Sequence, residues 1–292
     1  MSHIPDDEPI DTVEVAPGVE LRVIRRGGDL PGAPFLLVHG LASNARLWDG
    51  CADALAALGH PSVAVDLRGH GRSSKPDAGY DFATITADLA ALIAAEPLDR
   101  PVIVGQSWGG NVVVELGVSH PGLVRGVVAV DGGTIELQDR FDTWDEVEAA
   151  LRPPSLIGTA SSRMLAMMRA GHPDWPHSGI AGAMANFEHL PDGTIRPWLT
   201  LDRHLMILRA LWLHRPSERL RQLEVPLMFV PADSGAAAWT HDKEASIERA
   251  AASLHVPYRT EWFRPADHDL HAQFPDRLAA LLHGATTDGF FV

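Results

Sequence analysis

The sequence predicts an α/β protein: a mostly parallel, doubly wound sheet of about eight strands with helices on both faces. Three observations carry this reading. Apolar runs too short for helices recur at Phe35 to Val38, Ser62 to Val65, Val102 to Val104, Gly126 to Val130 and Pro226 to Val230. Unbroken apolar runs of that length suit strands buried on both faces. Helix-compatible segments alternate with them, and β/α alternation implies parallel strands joined by helical crossovers. Finally, Val102-Ile103-Val104-Gly105-Gln106-Ser107-Trp108-Gly109-Gly110 reads as strand, sharp turn and helix start.

The remaining elements follow in order. Residues 1 to about 10 read as a loose tail. Val13 to Val15 and Leu21 to Ile24, separated by Ala16-Pro17-Gly18, are a β-prone pair expected to lie antiparallel at a sheet edge. Asn44 to Leu58 reads as a helix. Phe82 to Ala95 is a periodic helix with Ile85, Leu89, Leu92 and Ile93 on one face. From Thr134 to about Val225 the β/α rhythm stops, and the segment holds Trp144, Trp175, Trp198, Trp212 and five of the seven Met. Prolines break it into several short helices. Asp242 to Leu254 is a helix, Pro257 to Phe263 the last strand, and a closing helix starts near Pro275. The expected organisation is a core of residues 1–133 and 226–292 with a helical cap of residues 134–225 inserted after the sixth strand. A Met- and Trp-rich insertion suits a lid over an apolar pocket.

Composition excludes several classes. A formal net charge of −14 disfavours nucleic acid and anionic membranes as partners. No run of 18 apolar residues suggests a membrane span. The acidic start, Asp6-Asp7-Glu8, lacks signal-peptide character, and a single Cys51 points to a reducing, cytoplasmic setting. Cys51 lies in an Ala/Leu-rich helical pattern, where a buried, inert thiol is the expectation. The 15 His are scattered without metal-binding spacing. No cofactor is expected. The expected partner is a small-molecule substrate, with a homodimer left as an open option.

The chemistry centres on Ser107. A Ser at the apex of a strand–turn–helix bend holds its hydroxyl exposed, and the amide of Trp108 opens the following helix, where an anion is favoured. His39-Gly40-Leu41 follows a strand, and the Leu41 amide is the second candidate oxyanion donor. A Ser hydroxyl needs a base, and an imidazole needs a carboxylate to fix its tautomer. Ser107, Asp131, Asp233 and His268 each stand just after a strand. Loops at the carboxyl ends of parallel strands converge on one side, so all four can reach one crevice. Candidate pocket residues are His39, Gly40, Trp144, Met164 and Trp175. The tight Asp66-Leu67-Arg68-Gly69-His70-Gly71-Arg72-Ser73 loop favours structural roles for Asp66, Arg68 and His70.

With these residues in place, the chain resembles the α/β-hydrolase-fold superfamily over about residues 12–133 and 226–285. The landmarks are His39-Gly40, the D-x-R-G-x-G-x-S loop, the Gly105 to Gly109 elbow, the Asp-bearing strand ends, and His268 seven residues before Pro275. The resemblance implies that His268, not His271, is the base; His271 is then a pocket or surface residue. It implies an acid after the Pro226 to Val230 strand, where the count falls on Gly235; Asp233 lies two residues early. Relatives similar to haloalkane dehalogenases carry their acid at the end of the preceding strand, here Asp131, which is favoured over Asp233. Dehalogenase and epoxide-hydrolase relatives use an Asp at the elbow, so Ser107 implies acyl transfer instead. Gly-Gln-Ser-Trp-Gly also resembles elbows of proline iminopeptidase-like relatives, but no acidic cluster for a substrate amine is apparent. The expected function is a carboxylesterase-like serine hydrolase for a small to medium, largely apolar substrate. A lyase or C–C hydrolase on the same groups, or a non-catalytic small-molecule binder, are the alternatives.

Overall fold

The computed structural model describes residues 10–291, so all but the last residue of the expected N-terminal tail lies outside them. An eight-stranded sheet is formed by β1 (Asp11–Ala16), β2 (Val19–Arg26), β3 (Phe35–Val38), β4 (Ser62–Val65), β5 (Val102–Gln106), β6 (Gly126–Val130), β10 (Leu227–Val230) and β11 (Tyr258–Thr260). Its order is β1-β2-β4-β3-β5-β6-β10-β11. Only the β1–β2 and β2–β4 pairings are antiparallel; from β4 to β11 every neighbour is parallel.

Residues alternate between two cores because successive strand side chains point to opposite faces. Leu36, Val38, Ile103, Val127 and Phe229 pack under α2 (Phe82–Ala95) and α3 (Trp108–Ser119). Phe35, Leu37, Val104, Val128 and Val230 pack under α1 (Asp49–Ala57) and α11 (Pro275–Thr287). Cys51 is fully buried in that second core, and burial pushes its thiol pKa up, away from reactivity. The predicted Asn44 to Leu58 helix divides into a 3₁₀ turn, Ala45–Trp48, capped by the Asn44 side chain, and α1.

Between β6 and β10 the chain forms α4 (Trp144–Leu151), β7 (Thr159–Ala160), α5 (Ser161–Gly171), α6 (His177–Met184), β8 (Phe187–His189), β9 (Thr194–Pro197), α7 (Leu201–Leu213) and α8 (Pro216–Arg219). The small antiparallel sheet β7-β9-β8 departs from the purely helical expectation. Its signal was Asp192-Gly193 between alternating residues, a hairpin turn with Gly193 at φ 82°. After β10, α9 spans Ala237–Ala251, beginning earlier than the Asp242 expected as its start. α10 (Leu270–Gln273) precedes α11.

Two anchors tie the insert to the core. Arg203 donates to the carbonyls of Lys75 (2.7 Å) and Pro76 (3.1 Å) and pairs with Asp77, while Lys75 lies 5.0 Å over the Trp198 ring. On the other side Glu115 of α3 receives Arg219 through two bonds of 2.8 Å and His214 at 3.3 Å. Burial alone would raise the Glu115 pKa, but the hydrogen bonds from His214, Arg219 and Ser119 outweigh it and hold the carboxyl at about 2. A depressed folded-state pKa stabilises the fold above the ordinary value of 4.5, and that contribution disappears as pH falls from there toward 2. Glu115→Gln should therefore cost about 1–2 kcal/mol at pH 7, after allowance for solvent screening of the partly exposed group. Its thermal midpoint should fall less steeply than the parent's between pH 5 and 3; parallel curves would contradict this account.

The Asp66 to Ser73 loop is held partly by its own bonds, such as Ser73 Oγ to Asp66 O, and partly by bonds to the neighbouring 3₁₀ turn and α2. Asp66 accepts from the amides of Ala45 (2.7 Å) and Arg72 (2.9 Å). Arg68 forks onto buried Asp88 at 2.5 and 2.6 Å, a pair whose desolvation is offset by bidentate geometry.

Candidate active site

Ser107 joins β5 to α3 at φ 55°, ψ −123°, a conformation that few non-glycine residues adopt. The crossing is close because two glycines allow it. A Cβ on Gly105 would lie 2.1 Å from the Gly109 carbonyl oxygen, and one on Gly109 would lie 2.4 Å from that of His39. The Ser107 amide donates to Val130 O (2.9 Å), which fixes the bend to the end of β6. The Trp108 amide opens α3, where first-turn donors have no intrahelical acceptor.

Asp131 is the residue that follows β6, itself at φ 42°. Its Oδ2 lies 2.5 Å from His268 Nδ1. Its Oδ1 accepts the Ala232 amide at 2.9 Å. Lys243 of α9 places Nζ 2.7 Å from Oδ1 and 2.9 Å from Oδ2, and donates to Ala232 O at 2.8 Å. Burial would raise the Asp131 pKa, but His268 and Lys243 more than compensate and lower it. Burial would lower the His268 pKa, but the hydrogen bond and charge of Asp131 prevail and raise it, with Lys243 opposing. His268 sits in the loop before α10, and the side chain of Gln106, the residue before Ser107, donates to its carbonyl at 3.2 Å.

Asp233 faces elsewhere. It accepts from Thr240 Oγ1 (2.7 Å) and the Gly235 amide (2.8 Å) and lies 3.4 Å from Arg264. The Thr240 hydrogen bond leads the effects that lower its pKa.

Ser107, Asp131 and His268 line one cavity of about 1090 Å³, together with Leu41 and Trp108. Its apolar walls include Ala129, Ile135, Leu208, Leu211 and Phe229, and its far wall is α9. At the rim two ion pairs, Arg140–Asp242 (3.1 Å) and Arg249–Asp139 (3.3 Å), bridge the segment after β6 to that helix.

None of the five expected pocket residues forms these walls. His39 is fully buried and works as a brace: Nδ1 donates to Gly40 O (2.7 Å) and Nε2 accepts the Leu67 amide (3.0 Å). His70 braces the same turn, accepting the Ala42 amide at 3.3 Å. Burial lowers the pKa of both rings, so both are neutral supports beneath Leu41. Gly40 backs the elbow, where a Cβ would meet Gln106 Oε1 at 2.4 Å. Trp144 packs against Trp212 and under Arg209. Met164 is spent in a small core with Met184, Phe187 and Ile195. Trp175 stacks on His172 and donates to Asp267 at 3.1 Å. Met164 thus packs inside the insert, whereas Trp175 packs with Leu47 and Ala272 of the main core and Trp144 against the main apolar cluster; none of them faces the cavity. His271, expected in the pocket or at the surface, is fully buried with its ring centroid 4.3 Å from that of Trp48; burial lowers its pKa to about 3.

The sequence gives no direct sign of the roles of Gln106, Lys243 and the apolar walls, nor of His204, a buried residue of α7 that lines the cavity.

This sheet order, with its sharp turn after β5, defines an α/β-hydrolase fold. A family model described as alpha/beta hydrolase fold matches residues 33–156. The crystal structure of E-2-(acetamidomethylene)succinate hydrolase matches with a TM-score of 0.76 at 23% identity, over 96% of this chain and 99% of that one. In sequence, the chain is 28% identical over 179 residues to 2-(acetamidomethylene)succinate hydrolase of Mesorhizobium japonicum, covering 61% of this chain and 62% of that protein. It is 40% identical over 116 residues to Epoxide hydrolase A of Mycobacterium tuberculosis, covering 39% of this chain and 35% of that protein. The matched part is therefore about a third of the epoxide hydrolase and under two thirds of the succinate hydrolase. Among the described residues no helix is long and apolar enough to cross a membrane.

Proposed function

We propose that the protein is a serine hydrolase that cleaves an ester or related acyl bond of a small to medium substrate. The observation that carries this reading is the Asp131–His268 contact of 2.5 Å opening on the same cavity as Ser107. In the mechanism, His268 takes the proton of the Ser107 hydroxyl as its oxygen attacks the substrate carbonyl. The amides of Leu41 and Trp108 stabilise the oxyanion. The imidazolium, held by Asp131, then protonates the leaving group. Water, deprotonated by the same imidazole, releases the acid from the acyl-enzyme. Asp131, not Asp233, is the acid in this scheme.

Both curated relatives carry the name hydrolase. An epoxide hydrolase of this fold uses a carboxylate at the elbow, and this chain has a hydroxyl there, which favours acyl chemistry. The region between β6 and β10 acts as the cap, supplying Leu208 and Leu211 as apolar walls. A fluorophosphonate should label the protein once, on Ser107, as mapped by peptide mass spectrometry. Labelling elsewhere, or none at a concentration that labels a control serine esterase, sinks the reading.

Lys243 is one of the charges that act on His268, after burial and the carboxylates of Asp131 and Asp269. Its charge opposes the imidazolium and keeps the His268 pKa from rising further beside Asp131. Removing it should raise that pKa, so Lys243→Met should move the acid limb of kcat/KM to higher pH while sparing activity at high pH. A uniform loss at all pH values would mean that Lys243 only holds α9 in place.

A further inference from the structure

α7 turns one stripe inward: His204, Ile207, Leu208 and Leu211 are its buried residues. Their spacing is that of a core-facing stripe, and three of the four are aliphatic. An imidazole at the fourth position is an anomaly of composition. A buried polar group without a partner costs about 1–3 kcal/mol, so such groups are normally paired. His39 and His70 obey this rule, each bonding at both ring nitrogens; His271, sealed against Trp48 and away from the cavity lining, does not. His204 is 92% buried by exposed area, its relative exposure being 8%. Among the described residues nothing hydrogen-bonds its ring. It lines the cavity that holds Ser107 and His268, beside Leu208 and Leu211. Burial lowers its pKa, so the ring is neutral at pH 7 and carries one donor and one acceptor.

We propose that His204 is a specificity-determining residue: its uncharged imidazole hydrogen-bonds a second oxygen function, keto or hydroxyl, on the acyl substrate that Ser107 attacks. This rests on the serine-hydrolase reading and narrows its substrate class from apolar acyl compounds to oxygenated ones. The rest of the stripe accepts the hydrocarbon part of the chain. A site that hydrogen-bonds a substrate oxygen rejects the analogue lacking it more strongly than an apolar wall rejects an added methylene.

The test compares p-nitrophenyl hexanoate with its 3-oxo, 4-oxo and 5-oxo counterparts, with background hydrolysis subtracted. In the parent protein at least one oxo ester should have a kcat/KM about tenfold above hexanoate. In His204→Leu, which completes the aliphatic stripe, that ratio should fall to about one, and His204→Gln should restore part of it. Binding is read separately by calorimetry in Ser107→Ala, using the methyl esters of the same acids. The oxo preference should persist there and vanish in Ser107→Ala/His204→Leu. Preference in binding without turnover in the parent would sink the serine reading and leave His204 in its role. Equal binding of oxo and plain esters to Ser107→Ala, or a His204→Leu change that scales all esters alike, would overturn the proposal.

Discussion

Ser107→Ala should reduce kcat for p-nitrophenyl butyrate by at least about 10⁴-fold, because deleting the nucleophile of such a constellation leaves only binding and oxyanion stabilisation. The expected change in stability is small and favourable or neutral. The hydroxyl is a minor part of a buried turn whose amide bond to Val130 is retained. Ala also pays the same backbone cost as Ser at φ 55°. A variant that retained turnover, with an unchanged thermal midpoint, would show that any esterase activity arises elsewhere. The residual rate should also lose its initial burst, since no acyl-enzyme can accumulate without an oxygen at position 107.

Asp131→Asn should be nearly as damaging, about 10³- to 10⁴-fold in kcat, because an amide in place of the carboxylate can hold His268 in the wrong tautomer. The sign of the accompanying pH effect is fixed by the contacts. Asp131 raises the His268 pKa, and Lys243 opposes it. Removing the carboxylate leaves burial and Lys243 lowering the pKa against Asp269 alone, so the residual acid limb should move to lower pH, opposite to the shift expected for Lys243→Met. Asp233→Asn is the control. Its carboxylate serves Thr240, Gly235 and Arg264, and its substitution should change kcat/KM by less than about threefold. If the Asp233 variant were the inactive one and the Asp131 variant active, the pairing at His268 would not describe the working protein.

Much of the fold could be read in advance because the parallel sheet writes itself in uninterrupted apolar runs. Phe35–Val38, Ser62–Val65 and Gly126–Val130 are strands with the expected bounds. The bend at Ser107 was legible because its glycines are a steric necessity rather than a preference. The walls of the cavity were not. Trp144, Met164 and Trp175 have the composition of a binding pocket, but a small subdomain needs large apolar residues for its own core, and composition cannot say which need is met. The contribution of α9 was hidden for another reason. A polar helix gives no hint that one of its residues reaches back across the sheet to Asp131. A trace existed in retrospect: of 24 basic residues only two are lysines. Lys243 holds the Ala232 carbonyl beside Asp131, while Lys75 holds two carbonyls of the Asp66 to Ser73 loop, each by a compact ammonium. His204 also left a trace, a polar residue on an aliphatic stripe, which the expectation of a generic helical cap passed over.

The carboxylate at the end of β6 stands upstream of the long excursion between β6 and β10. In the proposed mechanism the attacking oxygen, stabilising amides and acid are thereby encoded within one uninterrupted stretch, residues 41–131, and the imidazole arrives from beyond, as does Lys243. Exchange of the intervening ninety or so residues for another module would leave the register of that stretch untouched. Selection can then rewrite what enters the crevice while holding fixed the groups that act on it.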